Sequence, residues 1–225
     1  MGNFLALSSG GAGGTWTCLL YTSKQNERRS ALVQTIDLPL TLLEYFGVPA
    51  TSDMQGHSLA ETIASDKPVR EAGLFGIFGG HICCTDGKYV YMRGAKDRSN
   101  KPLFQYTLMP THMRGRFTVE ELQTAELAKP FSFTKGCPLV KTRCAAWGAE
   151  QDPYGLDGYC YPDRICENML FNLESDPGQL RPIQNQELEK RMIALMIALM
   201  EKNDAPEEQY IRTGLDQYRR KKADI

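Results

Sequence analysis

The chain has almost no net charge, because 26 lysines and arginines stand against 27 aspartates and glutamates and leave −1 at pH 7. Nucleic acids and anionic membranes attract proteins through an excess of basic side chains. The composition therefore supports neither partner, and the basic run at residues 219–222 is interpreted as part of a solvated tail, residues 216–225. The sequence also lacks an apolar run long enough to span a membrane.

Close Cys-x-x-Cys pairs, which are typical of structural zinc sites, are absent as well. The seven cysteines are an odd number, so at least one has no partner within the chain. A loose group of Cys137, Cys144, Cys160 and Cys166 contains no histidine, which favours buried thiols or a disulfide over a metal site. We therefore predict no metal centre from these residues.

Charged side chains are missing from residues 1–23, which contain instead the glycine-rich run SSGGAGG. A secretory signal needs a positive start and a compact apolar stretch, and this segment has neither in good form. Position 6 is alanine where a myristoylation signal needs serine or threonine, and the glycines do not fit the phosphate-binding pattern GxxxxGK[ST]. We predict that residues 1–29 are an atypical leader, disordered or non-native, with poor order up to about Asn26.

A helix is predicted at residues 37–46. Asp37 is expected to cap its start, and Pro39 lies in the first turn, where a missing N–H costs nothing. Leucines at helical spacing then supply an apolar face. Gly47 is a natural stop for this helix.

A β-hairpin is predicted around the pair Asp86-Gly87. Residues 81–85 and 88–93 are two strand-like runs on either side of this pair. An Asp-Gly pair between such runs favours a two-residue turn with positive φ at both positions.

Residues 94–163 contain many prolines, glycines and aromatics and are interpreted as long ordered loops, which often carry specificity. One helix is expected within them, at residues 119–128, because Thr118 and Glu121 have the spacing of a capping box. Beyond this region, residues 168–173 are predicted as a strand and residues 187–202 as a buried helix with a wide apolar stripe.

Four segments resemble the sulfatase family of the alkaline phosphatase superfamily. Residues 33–49, VQTIDLPLTLLEYFGVP, are similar to the family's segment in which an aspartate opens a Pro-Thr-Leu-Leu helix that ends in Gly-x-Pro. Residues 55–59, QGHSL, resemble its Gln-Gly-Arg-Ser-Leu, with histidine in place of arginine. Residues 85–93 resemble a strand pair of its C-terminal subdomain, and residues 170–178, LFNLESDPG, resemble its Leu-Tyr-Asp-Leu-x-x-Asp-Pro signature.

The four segments occur in family order, and the resemblance covers the last part of a sulfatase. It implies an α/β fold class in α+β form. Residues 30–72 would be the end of the alkaline-phosphatase-like α/β domain, and residues 73–215 the small C-terminal domain, in which antiparallel strands pack with a helix.

The resemblance implies hydrolysis of a sulfate ester on a small molecule or glycan. In the family, a formylglycine made from Cys or Ser in a Cys/Ser-x-Pro/Ala-x-Arg motif attacks sulfur, and calcium polarises the sulfate oxygens. Cys137 and Cys144 fit this motif incompletely, and no serine fits it. The paired aspartates that hold calcium are also absent, so we expect the chain to be inactive alone, with formylglycine and calcium belonging to the intact enzyme.

Substrate contacts are expected from loops that lean over the pocket of the intact enzyme. His81 is one candidate, because the two glycines before it let backbone approach a ligand closely. His112, Arg114 and Arg116 form a cationic loop that suits a sulfated or carboxylated sugar. A structural histidine and ordinary surface charge are the alternative interpretations.

Two other functions stay open. The same motifs fit a phosphodiesterase or phosphonate hydrolase of the superfamily. A non-catalytic module that binds sulfated glycans or a partner is the third possibility, and it would cover its sheet rather than expose a large apolar patch.

Overall fold

The computed structural model describes residues 27–109, 111–112, 115–144 and 164–219, together with the backbone of residues 6–7 and 17–18. These residues form a mixed α+β fold. The helices are α1 Asp37–Tyr45, α2 Ala60–Ser65, α3 Val119–Gln123, α4 Gln186–Lys202 and α5 Glu207–Thr213, followed by a 3₁₀ turn Asp216–Tyr218.

The strands make two larger antiparallel sheets and two short ribbons. The strands are β1 Ala6–Leu7, β2 Thr17–Cys18, β3 Gly73–Gly76, β4 Ile82–Thr85, β5 Tyr89–Arg93, β6 Phe104–Thr107, β7 Thr111–His112, β8 Gly115–Arg116, β9 Glu126–Ala128, β10 Leu139–Arg143 and β11 Met169–Asn172. One sheet has the order β11-β5-β4-β3 and the other β6-β10-β9, while β1 pairs with β2 and β7 with β8.

The chain divides into two compact units. Unit one comprises Met1–Gly73, Cys84–Val90 and Leu170–Gln184. Unit two comprises Leu74–Cys83, Tyr91–Met169 and Asn185–Ile225.

Helix α1 begins at Asp37 as predicted, but the predicted cap is wrong. The N-cap position is Ile36, and no side chain caps the helix. The carboxylate of Asp37 is fully buried and accepts instead from the backbone N–H groups of Gln34 at 2.7 Å and His57 at 2.9 Å. A buried carboxylate needs such donors and a counter-charge, which Arg70 supplies through an ion pair.

The predicted end of α1 is confirmed. Gly47 has φ of 67°, the left-handed conformation that glycine adopts without strain. The N–H of Gly47 donates to the carbonyl of Glu44, and the N–H of Val48 donates to that of Leu43 at 2.8 Å. These two bonds are the pattern of a Schellman motif.

The hairpin of β4 and β5 is confirmed, but its predicted turn is only half right. Gly87 has φ of 88°, whereas Asp86 is not in the positive-φ region. The Asp86 carboxylate accepts from the N–H groups of Lys88 at 3.0 Å and Tyr89 at 2.7 Å. The side chain thereby makes bonds that a backbone turn would otherwise make, so one positive φ is enough.

The prediction of long loops after residue 94 is wrong where β6, β9 and β10 form their sheet. Helix α3 has the predicted capping box, but it ends at Gln123. The hydroxyl of Thr124 bonds to the carbonyl of Glu121 at 2.9 Å, and the following residues pair as β9 with β10. Thr124 thus lies at the point where the helix ends and the chain continues into the strand.

Helix α4 and strand β11 are confirmed within one or two residues of their predicted ends. Asn185 caps α4 by accepting from the N–H of Leu188 at 3.0 Å. The buried side of the helix consists of Met192, Ile193, Met196 and Met200.

Most of the predicted leader lies outside the described residues. Its two described strands pair with each other and with no other described strand. Arg29 donates from Nε to the carbonyls of Thr62 and Ile63 at 3.0 Å each, so this residue of the predicted leader is bonded to α2. In the predicted tail, the guanidinium of Arg219 lies 4.1 Å from the ring centroid of Tyr210, and residues 220–225 fall outside the described part.

Candidate functional site

The carboxyl end of α5 is held by Arg93, the last residue of β5. Its Nε donates to the carbonyl of Thr213 at 2.8 Å, and its Nη2 donates to that of Gly214 at 3.3 Å. The last carbonyls of a helix have no partner within the helix, so the guanidinium satisfies two of them. Arg93 is itself buried, with 9% of its surface exposed.

The remaining contacts of Arg93 are with aromatic residues. Nη1 donates to the hydroxyl of Tyr91 at 3.3 Å, and this hydroxyl donates to Glu189 at 2.9 Å. The guanidinium also lies 5.7 Å from the ring centroid of Tyr218. Burial raises the pKa of Tyr91, so the hydroxyl stays protonated. It therefore bridges Arg93 and Glu189 by accepting from one and donating to the other.

Arg212, on α5, is a second buried cation of unit two, with 2% of its surface exposed. Its Nη1 donates to the carbonyl of Gly80 at 3.2 Å and to the Asn100 side chain at 2.8 Å, and its Nε donates to Gln209 at 3.0 Å. Burial lowers the pKa of Arg212 to about 10, which still leaves it charged at pH 7.

The segment before His81 is fixed by this arginine and by Asn100. The amide of Asn100 donates to the carbonyl of Gly79 at 2.7 Å, while its oxygen accepts from Arg212. Both glycine carbonyls are therefore bonded to this arginine and asparagine pair, and Gly79 has φ of 74°.

His81, the first predicted substrate contact, is buried, with 9% of its surface exposed. Its Nε2 lies 2.9 Å from the carbonyl oxygen of Glu167. Burial lowers the pKa of His81, so the ring is neutral at pH 7 and Nε2 carries the hydrogen that this carbonyl accepts. Its role as a substrate contact stays a prediction.

The predicted cationic loop is described only in part. His112 and Gly115 pair across the β7–β8 ribbon, as do Thr111 and Arg116. Arg116 is exposed, as a contact to an anionic sugar requires, whereas Arg114 lies outside the described residues. His81 is bonded to the backbone of Glu167, whereas Arg116 lies in the β7–β8 ribbon.

A cavity of about 210 Å³ lies beside the carboxyl end of α5. Its walls are residues 93–96, Cys166 and Asn168, and four residues at or after the end of α5, namely 213, 214, 216 and 217. Its formal charges are those of Arg93, Lys96 and Asp216, and the other lining groups are amides, carbonyls and a thiol.

In the described part of unit one, Asp37 and Arg70 form a buried ion pair, and their side chains are 0% and 8% exposed. Arg70 also donates to the side chain of Gln34 at 2.7 Å. These contacts tie the start of α1 to the segment that leads into β3. We assign the pair a structural role, because each charge compensates the other. Their remaining hydrogen bonds are to backbone N–H groups and to the Gln34 side chain.

The described residues contain no group of three or more His, Cys, Asp or Glu side chains that could hold a metal ion. No helix within the described ranges is long and apolar enough to cross a bilayer.

Sequence reasoning missed Arg93, Asn100 and Arg212. Arg93 had a usable signal, because it lies two positions after Tyr91 in β5 and therefore on the same, buried face. No sequence signal identified Asn100 or Arg212, because their partners lie 21 and 112 residues away in the sequence.

Comparison with known proteins gives no relative, since neither a protein-family model nor a curated protein matches the chain.

Proposed function

We propose that this chain is the C-terminal part of a sulfatase-family hydrolase, comprising the end of its alkaline-phosphatase-like α/β domain and its small C-terminal domain. The proposal rests on the four segments that resemble the family. One observation carries it furthest, which is that the segments are bonded in pairs, the first to the second and the third to the fourth. Unit one contains residues 33–49, 55–59 and 170–178 in full, and residues 85–90 of the remaining segment.

The first two segments are bonded directly to each other. The Asp37 carboxylate accepts from the N–H of His57 at 2.9 Å, and the hydroxyl of Thr41 accepts from the N–H of Leu59 at 3.0 Å. A Cβ at Gly56 would lie 2.1 Å from the carbonyl oxygen of Ile36, so only glycine fits there. The residues that carry the resemblance are thus residues that this packing requires.

The other two segments are also bonded to each other. The N–H of Leu173 donates to the carbonyl of Lys88 at 2.8 Å, and the Lys88 ammonium lies 2.7 Å from the carboxylate of Glu174. Asp176 is buried, and its side chain accepts from the N–H of Arg181 at 2.7 Å. The hydrogen bond of the Asp176 carboxylate therefore explains why an aspartate is present in the Asp-Pro-Gly turn.

Helix α1 supports the part of the proposal that concerns a larger α/β domain. Its only buried residue is Asp37, so none of its apolar side chains is fully covered. Tyr45 and Phe46 at its end are 59% and 70% exposed. Helices of α/β domains bury their apolar stripe against a sheet, and we propose that the rest of that domain covers α1.

In such an enzyme this chain would supply structure and contacts at the mouth of the pocket, from His81 and from the loop of His112, Arg114 and Arg116. The sulfate ester would be attacked by a formylglycine supplied by the rest of the enzyme, and calcium bound there would stabilise charge on the sulfate oxygens. The chain alone is then expected to be inactive.

The test is to sequence the locus upstream of the codon for Ser30 and to express any in-frame extension with this chain. An extension with a Cys/Ser-x-Pro/Ala-x-Arg motif and paired aspartates should hydrolyse an aryl sulfate, and replacing the motif residue with alanine should abolish this activity. Preference for a bis-aryl phosphate or an aryl phosphonate would assign the chain to the phosphodiesterase alternative. A closed upstream frame would overturn the proposal and favour a binding module.

A further inference from the structure

Two buried arginines of unit two, Arg93 and Arg212, have no acidic partner among the described residues. The contacts of Arg93 and Arg212 are to carbonyls, an amide oxygen of Asn100, an amide oxygen of Gln209 and the Tyr91 hydroxyl, and no carboxylate of the described residues forms an ion pair with either arginine. The carboxylate of Glu189 reaches Arg93 only through Tyr91. Burying a charge is costly unless an opposite charge compensates it.

The cavity beside α5 brings a further cation to Arg93. Lys96 is exposed, and its backbone N–H is fixed by a bond to the carbonyl of Arg212 at 2.7 Å. A Cβ at Gly214 would lie 3.5 Å from Nη2 of Arg93 and 3.8 Å from Cγ of Lys96, so both side chains border the same small space. Asp216 is the single carboxylate of the cavity wall, which leaves a formal charge of +1.

The size and polarity of the cavity restrict its ligand. At about 210 Å³ it is smaller than the roughly 300–1,000 Å³ of pockets for drug-sized molecules. Its lining includes the side-chain amides of Asn168 and Gln217 in addition to the two cations. A small anion with several acceptor atoms, which can bond a guanidinium and an ammonium at once, matches these donors.

We propose that this cavity binds a tetrahedral oxyanion, a sulfate or phosphate group, with Arg93 and Lys96 as its cationic ligands. The anion would supply the counter-charge that no described carboxylate gives Arg93 directly. The site lies within unit two, whereas the segments that resemble sulfatases lie mostly in unit one, so it does not depend on the proposed enzyme activity.

The test is a titration of the ¹⁵N-labelled chain with sodium sulfate, with sodium chloride used to keep the ionic strength constant. The amide signals of Gly94, Ala95 and Gly214 should shift and saturate. Lys96→Gln should raise the Kd about threefold to fivefold, as expected for one partly screened charge. Asp216→Asn should lower the Kd by a similar factor, because it removes the carboxylate that repels the anion.

Both substituted side chains are exposed, so these variants leave the fold intact. Lys129→Gln is the matched control, because Lys129 is also an exposed lysine of unit two but lies outside the cavity wall, and it should leave the Kd unchanged. Absence of saturable shifts would overturn the proposal. An increase in Kd for Lys129→Gln as large as that for Lys96→Gln would also overturn it. So would a change of the Kd in the same direction for Lys96→Gln and Asp216→Asn.

Parallel titrations identify the source of the anion. Tighter binding of N-acetylglucosamine 6-sulfate than of inorganic sulfate, with no binding of unmodified N-acetylglucosamine, would indicate an esterified group. Tighter binding of inorganic sulfate or phosphate would indicate the free ion. Both outcomes support the oxyanion site, and neither measurement depends on hydrolysis.

Discussion

At the scale of single residues, the buried charges of this protein fall into two kinds. Asp37 has a cation beside it, whereas the acceptors of Arg93 and Arg212 in the described part of the chain are neutral. A buried pair is costly to break, because the remaining partner is left charged and uncompensated. No described carboxylate pairs with Arg93 or Arg212, and of the two only Arg93 lines the cavity beside α5.

We expect Asp37→Ala to lower the free energy of unfolding by about 3–5 kcal/mol, since it leaves Arg70 buried without its partner. Urea denaturation followed by far-UV circular dichroism measures the change. Glu61→Gln is the control, because the pair of Glu61 with Lys67 is 68% and 61% exposed, and such pairs contribute about 0–1 kcal/mol. Equal effects of the two substitutions would contradict a structural role for Asp37.

His81 gives a prediction on pH dependence. Burial lowers its pKa in the folded state, so below pH ~6.5 the unfolded chain binds a proton that the folded chain does not. The free energy of unfolding should therefore be unaffected by this group above that pH, and should fall with falling pH by at most about 1.4 kcal/mol per pH unit. Urea titrations at pH 7.5 and 5.5 should show a smaller loss for His81→Gln than for the natural chain, and parallel losses would refute the prediction.

Sequence reasoning was weakest at this scale. It identified Asp37 as important but gave it the wrong partner, because the N–H of His57 and the guanidinium of Arg70 lie 20 and 33 residues away. Local capping rules weigh only neighbouring donors. A carboxylate that lies beside a buried cation pairs with that cation rather than with the N–H groups of its own helix.

At the scale of elements, local signals were more dependable. The Schellman end of α1, the capping box of α3 and strand β11 all follow from short-range rules. The sheet of β6, β9 and β10 was missed because its strands are three to five residues long and are separated by prolines and glycines. Their pairing is decided by partners distant in sequence, which periodicity does not register.

The capping box of α3 can be tested directly. The Thr118 hydroxyl accepts from the N–H of Glu121 at 3.2 Å, and the Glu121 carboxylate accepts from the N–H of Thr118 at 2.8 Å. Thr118→Ala should cost about 0.5–2 kcal/mol of stability in urea denaturation. Thr118→Ser, which keeps the hydroxyl, should cost much less, and equal losses would show that the methyl group rather than the hydrogen bond matters.

At the scale of the whole molecule, the apolar residues at and just after the end of α1 bear on the competing functions. A self-sufficient module buries the stripe of each helix, whereas Tyr45, Phe46 and Val48 here remain 59%, 70% and 47% exposed. Several elements along the chain were predictable, but the grouping of residues 84–90 and 170–184 with the first 73 was not. That grouping depends on contacts between distant segments, which no local pattern encodes.

Phe46→Ser turns this exposure into a test whose result depends on how much of the protein is present. In this chain the substitution should change the free energy of unfolding by less than about 0.5 kcal/mol, because the side chain is already 70% exposed. It should also reduce any self-association seen by sedimentation velocity, because it removes exposed apolar surface. In a chain extended through an open upstream frame, the same substitution should cost about 3–5 kcal/mol, because the ring would then be buried against the added domain.

Leu180→Ser, at an 82% exposed position of unit one, should have a small effect in both chains. A small effect of Phe46→Ser in the extended chain would mean that α1 faces solvent there too, and that the apolar helix is not the docking face of a sulfatase domain.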